Sequence, residues 1–236
     1  MILAAGVGSR LRPITEHTPK VLVDVGGSTV LEHIARRLIR AGADRIIVNV
    51  HHLAEQIERF ATERWDLDAE LVLSREPERL LGTGGGLLHA APLIRRDAPF
   101  FLHVGDVISE MDLGAFYAAH AGSDALASLA VHERDTSRCL LFDRRGLYGR
   151  DNRDAGWSRD VRRPDGETLR LAFAGVHVVS PRIFDLFAER GVFDILDAYL
   201  RLTGEGERIA PFDVGDARWL EIGNPKRLEE ARQALR

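Results

Sequence analysis

The chain has 236 residues, 45% of them hydrophobic, and a formal net charge of −4, which is enough to bury a substantial core as one domain or as a domain with a lobe. Its one cysteine, Cys139, excludes an internal disulfide, and no cluster of histidine and cysteine has zinc-site spacing, so packing alone must hold the fold. No apolar run approaches the roughly 20 residues of a membrane span, and the mixed charges offer no broad basic field, which argues against a membrane or nucleic-acid partner and for a small molecule in a reducing, cytoplasmic setting.

In chain order, residues 1–5 predict a short buried strand cut off by Gly6, and 6–21 a loop rich in glycine and basic residues. Thr29 and Glu32 have capping-box spacing ahead of a helix over 31–41 that Gly42 stops. Residues 45–50 (RIIVNV) predict a strand, 53–60 a helix, 70–74 a strand and 85–93 a helix. A strand over 99–104 (PFFLHV) ends at Gly105-Asp106, followed by a helix over 113–120 and a strand over 125–131. This alternation implies a Rossmann-like, doubly wound α/β fold, a mostly parallel sheet with helices on both faces. After Glu133 the rhythm changes. Short strands over 140–142 and 169–179 flank a polar stretch, 144–165, that reads as a small β-rich insertion or flap. Helices over 181–187 and 194–202, strands over 209–212 and 219–222 and a helix from Pro225 complete a single domain over 1–236.

In open parallel sheets ligands bind where strands end and loops turn into helices, and the chemistry-bearing residues cluster at those places. In LAAGVGSRLRPITEHTPK, residues 3–20, Gly6 and Gly8 leave backbone N–H groups bare, and Arg10, Arg12 and Lys20 add cations. Of 32 basic residues only Lys20 and Lys226 are lysine. A compact ammonium within this loop suits a crowded phosphate better than a planar guanidinium. The loop suggests a polyphosphate ligand, although a plain strand-to-loop corner would have a similar composition. It carries no G-K-[ST], and Leu11 stands where a dinucleotide fingerprint needs its third glycine. LGTGGGL, residues 81–87, is a glycine-dense turn opening a helix, able either to receive a flat ring or simply to turn the chain. Asp106, at a strand's carboxyl end, could be a hard metal ligand or a helix cap.

The pattern G-x-G-[ST]-R-[LM]-x-P-[LI]-T followed by P-K-x-L, matched by Gly6, Gly8, Ser9, Arg10, Leu11, Pro13, Thr15, Pro19, Lys20 and Leu22, resembles the signature loop of sugar-phosphate nucleotidyltransferases. The similarity continues through Gly42, 46–50, 81–87, Gly105-Asp106, 173–178 (FAGVHV) and 219–228 (WLEIGNPKRL), and so covers essentially the whole chain. Within the family it is most similar to the short, single-domain type represented by N-acetylmuramate 1-phosphate uridylyltransferases.

The resemblance implies transfer of a nucleotidyl group from a nucleoside triphosphate to a sugar 1-phosphate with release of pyrophosphate. UTP is the first expectation, with an amino-sugar or hexose 1-phosphate as acceptor, and guanylyl transfer to mannose or heptose 1-phosphate is the next. It makes Arg10 and Lys20 the catalytic cations. Leu3, Ala4, Ala5, Gly6, Gly8, Ser9 and Arg10 would bind the nucleotide, as would Gly82, Thr83, Gly84 and Gly85, which fall near base and ribose. Asp106 and Glu221 would hold Mg²⁺. It also divides the domain into a nucleotide-binding core over 1–133, acceptor-side strands and flap over 134–180, and C-terminal helices with the metal-site strand over 181–236.

Two departures qualify this expectation. Glu221 stands where the family has aspartate, and the added methylene must be accommodated within tight octahedral Mg²⁺ geometry. On the acceptor side Phe173 replaces an asparagine and no lysine is near. Phe173, Gly175, Arg159 and Arg162 are the acceptor candidates, against the alternatives of a core phenylalanine and a solvated charged flap. His51, His52, His103 and His177 lie near strand ends and receive no role, because a phosphate nucleophile needs no base. These departures also leave open a catalytically silent nucleotide-sugar-binding regulatory protein; a dinucleotide-dependent oxidoreductase is a more distant alternative.

Overall fold

The computed structural model describes residues 1–76 and 79–235. Strand β1 (Ile2–Leu3) gives way at once to the glycine-rich loop, which contains helix α1 (Ile14–His17) and leads through a hairpin, β2 (Asp24–Val25) and β3 (Ser28–Thr29), into α2 (Val30–Arg40). The predicted capping box forms. The Glu32 amide donates to Thr29 Oγ1 at 3.2 Å, and the Thr29 amide to Glu32 Oε2 at 2.7 Å. Next come β4 (Arg45–Val50), α3 (Ala54–Glu63), β5 (Glu70–Arg75), α4 (Gly82–His89), β6 (Phe100–Val104), β7 (Val107–Ser109), α5 (Leu113–Ala121) and β8 (Ala127–His132). The antiparallel strands β9 (Arg138–Asp143), β10 (Gly146–Asn152) and β11 (Trp157–Asp160) form the flap. The chain ends with β12 (Leu169–Val179), α6 (Ile183–Leu186), α7 (Ile195–Gly204), β13 (Ile209–Asp213), β14 (Trp219–Glu221) and α8 (Pro225–Ala234). Asn224 caps α8, its side chain accepting from the Arg227 amide at 3.0 Å.

The main sheet runs β5-β4-β1-β6 in parallel; β12 then lies antiparallel to both β6 and β8, and β13 is parallel to β8. This is the expected doubly wound α/β sheet with one reversed strand. The first residues of β12 also pair with β9, so the flap is hung from the main sheet by one long strand. Alternation along the strands separates two cores. Ile46, Val48, Val50 and Phe101 pack on one face with residues of α2, α3, α5 and α8, whereas Ile47 and Leu102 pack on the other with residues of α4, α6 and α7. No helix among the described residues is long and apolar enough to cross a membrane.

Besides α1 and the β2–β3 hairpin, which local pattern does not announce, three elements differ from the sequence expectation. The helix expected over 85–93 already begins at Gly82, so the glycines form its first turns instead of preceding it. Residues 107–109 were not expected as a strand, and they pair with β14, register Glu221↔Val107. The helix expected over 181–187 is a single turn, Ile183–Leu186. The first two depend on packing or pairing with distant segments, which local periodicity does not report.

Candidate active site

The carboxyl ends of β1 and β6, the loop after β1 and the start of α4 enclose a cleft of about 410 Å³. The structure brings most of the sequence candidates to it: Leu3, Ala4, Ala5, Gly6, Gly8, Ser9, Arg10, Lys20, Gly82, Thr83 and Asp106 all line it. The loop's shape has a local cause. Gly8 is left-handed, φ +66°, and its carbonyl accepts the Thr15 hydroxyl at 2.8 Å, which folds the loop back on itself. A ring nitrogen of His52 donates to the Thr15 carbonyl at 2.9 Å, so a histidine without an assigned role braces this turn from the next strand's end.

Lys20 reaches across from the loop, its Nζ donating to Asp106 Oδ2 at 2.7 Å; only 14% of the lysine side chain and 29% of the aspartate's are accessible. Asp106 caps no helix. It sits between β6 and β7, and Asp112 caps α5 instead. Its carbonyl accepts the Ile222 amide at 2.9 Å, which ties the end of β14 to the end of β6 and sets Glu221 beside the cleft. The Glu221 carboxylate lies between two guanidinium groups, Arg10 at 3.5 Å and Arg227 in direct contact. Gly223 supplies the room for the longer side chain: a Cβ there would stand 2.5 Å from Glu221 Oε1.

Among the described residues no three His, Cys, Asp or Glu side chains gather to hold a metal by themselves. A pair of carboxylates at neighbouring strand ends is nevertheless a donor set that Mg²⁺ accepts when phosphate oxygens and water complete its shell.

The glycines of α4 divide by role. Gly82 lines the cleft, whereas Gly84 and Gly85 are buried, where a Cβ would meet the Phe193 ring at 2.2 Å and the Gly191 carbonyl at 2.2 Å. Those two serve close packing against the segment leading to α7. The acceptor candidates do not reach the cleft lining. Arg162 is committed within the flap, donating to both oxygens of the fully buried Asp143 at 2.6 and 2.7 Å and to the carbonyls of Gly146 and Leu147. This pairing and two backbone N–H donors pull the Asp143 carboxyl down to about 2, against burial. Arg159 is exposed and lies 3.6 Å from Asp197. Phe173 is half-buried with its ring 4.8 Å from that of His177, and Gly175, φ +86°, sits where β12 shifts register against β8.

Sequence reasoning passed over a buried polar relay behind the loop. The Ala4 amide donates to Asn49 Oδ1 at 2.6 Å, Asn49 Nδ2 to Glu76 Oε1 at 2.7 Å, and the Leu81 amide to Glu76 Oε2 at 2.8 Å. The relay fixes the loop after β1 relative to the start of α4, the two walls of the cleft. An asparagine inside the apolar run RIIVNV was the available signal. His103 and His177 are core residues. Burial lowers them to about 4 and about 3, a hydrogen bond from His103 Nδ1 to the Val104 carbonyl offsetting part of the cost and His103 adding a second, repulsive contribution at His177.

The family described as "Nucleotidyl transferase" matches residues 1–236. An N-acetylmuramate alpha-1-phosphate uridylyltransferase of Caulobacter vibrioides is 34% identical over 99% of this chain and 96% of its own length. A protein of the same name from Neisseria meningitidis serogroup B is 31% identical over 100% of this chain and 96% of its own length. The crystal structure of HddC from Yersinia pseudotuberculosis shares the fold, with a TM-score of 0.78 at 22% identity over 100% of this chain and 98% of that one. A full-length family match and two relatives above 30% identity establish that this chain belongs to the nucleotidyl transferase family.

Proposed function

We propose that this enzyme transfers a uridylyl group from UTP to a sugar 1-phosphate, an N-acetylated amino sugar first among the acceptors, giving a UDP-sugar and pyrophosphate. The observation that carries this reading is the convergence in one cleft of a bare glycine loop, Arg10 and the Lys20–Asp106 pair. The similarity to two bacterial N-acetylmuramate alpha-1-phosphate uridylyltransferases supports the choice of base and sugar.

An oxygen of the acceptor phosphate, ionised at neutral pH, attacks the α-phosphorus in line. The new O–P bond forms as the bond to the β-phosphate bridging oxygen breaks, and its electron pair leaves with pyrophosphate. With no proton to remove, catalysis reduces to gathering anions and stabilising the leaving charge. The N–H groups of the loop receive phosphate oxygens, Arg10 faces the leaving pyrophosphate, and Lys20 stands between the reacting phosphates. Asp106 and Glu221 would hold Mg²⁺, which would supply positive charge to offset that of the phosphates. The relay of Asn49 and Glu76 keeps the two walls at a fixed separation.

The test is a matrix of triphosphates against sugar 1-phosphates read by pyrophosphate release, with Lys20→Ala alongside. Loss of a transition-state cation is expected to lower kcat by about 10²–10³ while triphosphate binding changes little. A near-normal kcat for that variant would remove Lys20 from the chemistry. Nucleotide-sugar binding without turnover over the whole matrix would replace the enzyme by a silent sensor.

A further inference from the structure

Beside Glu221 the structure holds an arginine that no part of the mechanism has used. Arg134, in the connection from β8 to the flap, places its guanidinium carbon 4.0 Å from the centre of the Trp219 ring. It makes no ion pair with a carboxylate among the described residues. Trp219 is itself fixed, its indole N–H donating to the Ala174 carbonyl at 2.9 Å and its ring 5.5 Å from that of His132. Trp219 and Glu221 are two residues apart on β14, so their side chains leave the same face of the strand. Arg227 touches Glu221 from α8, and it lies close enough to Arg134 that, after desolvation, its charge is the next largest influence lowering the Arg134 pKa.

The guanidinium groups of Arg10 and Arg227 thus flank one carboxylate, and that of Arg134 lies near Arg227's. This leaves an excess of positive charge immediately beyond Gly223, which lines the cleft. Like charges held together in the absence of an anion raise the energy of the free protein, and an arriving dianion relieves that cost. A guanidinium held over an indole also loses little conformational entropy when it binds an oxyanion, and its planar fork matches two phosphate oxygens.

We propose that Arg134, platformed on Trp219 and assisted by Arg227, is the binding site for the phosphate of the acceptor sugar. The assignment rests on the nucleotidyl-transfer reading and extends it to the second substrate. Arg10 and Lys20 then serve the triphosphate, and the acceptor phosphate enters from the β14 side, between Glu221 and the flap.

Steady-state kinetics on the full chain test this, with UTP and sugar 1-phosphate varied separately. Arg134→Ala is expected to raise the KM for the sugar 1-phosphate about 10- to 100-fold, the loss of one or two hydrogen bonds to a charged group. The KM for UTP, and UTP affinity by titration without acceptor, should stay within about twofold, and Arg134→Lys should recover only part of the acceptor KM because it keeps the charge but not the fork. An unchanged acceptor KM, or a UTP KM raised by the same factor, overturns the assignment while leaving the nucleotidyl-transfer reading intact. Absence of pyrophosphate release from the wild-type protein with every acceptor overturns both.

Discussion

Replacing Gly6 by alanine adds a methyl group that touches nothing in the protein. A Cβ built there has no heavy atom within 4 Å, and the residue is not in the left-handed region, so alanine meets neither a clash nor strain. The folded protein should therefore lose no more than about 0.5 kcal/mol, and alanine's smaller unfolded-state entropy could return that much. The methyl group does project from the lining of the cleft, where phosphate oxygens are proposed to approach backbone N–H groups. Displacing one such charge-assisted hydrogen bond costs about 1.5–3 kcal/mol, or about 10- to 100-fold in UTP affinity.

Gly82→Ala gives the contrasting case. Gly82 has φ +74°, and its Cβ would stand 2.6 Å from the Phe193 carbonyl oxygen, so backbone strain alone costs about 1–3 kcal/mol before the clash is counted. Melting temperature without ligand, and titration with UTP and Mg²⁺, separate the two. Gly6→Ala should melt with the wild type and bind UTP poorly, and Gly82→Ala should melt several degrees lower. If Gly6→Ala binds UTP within twofold of the wild type, the loop does not approach the phosphates as proposed. A large loss of melting temperature in Gly6→Ala would instead make that glycine structural.

Two further outcomes concern stability. Arg162→Ala strands the Asp143 carboxylate, whose side chain is 0% accessible, and breaking a buried pair from one side costs about 3–5 kcal/mol. The melting temperature should fall by about ten degrees with UTP affinity unchanged, and a fall below two degrees would show that the pair adds nothing to the fold. His103 and His177 have folded pKa values of about 4 and about 3 against an ordinary 6.5. Below 6.5 the unfolded chain takes up protons that the folded chain refuses, so stability is full above that pH and falls as pH drops toward 4. With both groups contributing the slope approaches about 3 kcal/mol per pH unit, measurable by denaturant unfolding between pH 6 and 5. A flat profile there would mean that the two imidazoles accept protons without unfolding.

The parts of the molecule legible in the sequence are those whose cause is local. The Thr29–Glu32 cap, the alternation of strands and helices and the signature loop each depend on residues within one or two turns of one another. The same holds for the polar stretch over 144–165, whose turn residues and alternation produce the flap's hairpin. The α4 glycines were less legible because two different requirements, an open cleft wall at Gly82 and close packing at Gly84 and Gly85, call for the same residue type. Arg162 illustrates the limit most directly. An arginine in a charged stretch is compatible with a phosphate, with solvent or with a buried carboxylate, and only the position of Asp143, 19 residues earlier, decides.

The sequence by itself determined the glycine-rich loop and the doubly wound class, because glycine conformation, helix capping and hydrophobic period are properties of neighbouring residues, and the resemblance of its motifs marked two carboxylates and two cations as candidates. Tertiary structure alone decided how they pair. Lys20 meets Asp106 across 86 residues because β1 and β6 lie side by side in the main sheet, and Arg10 meets Glu221 across 211 because β14 pairs with β7, the strand that follows Asp106. It also decided that Gly223 makes room for Glu221 and that Arg134 rests on Trp219, contacts that strand order creates and no local pattern records.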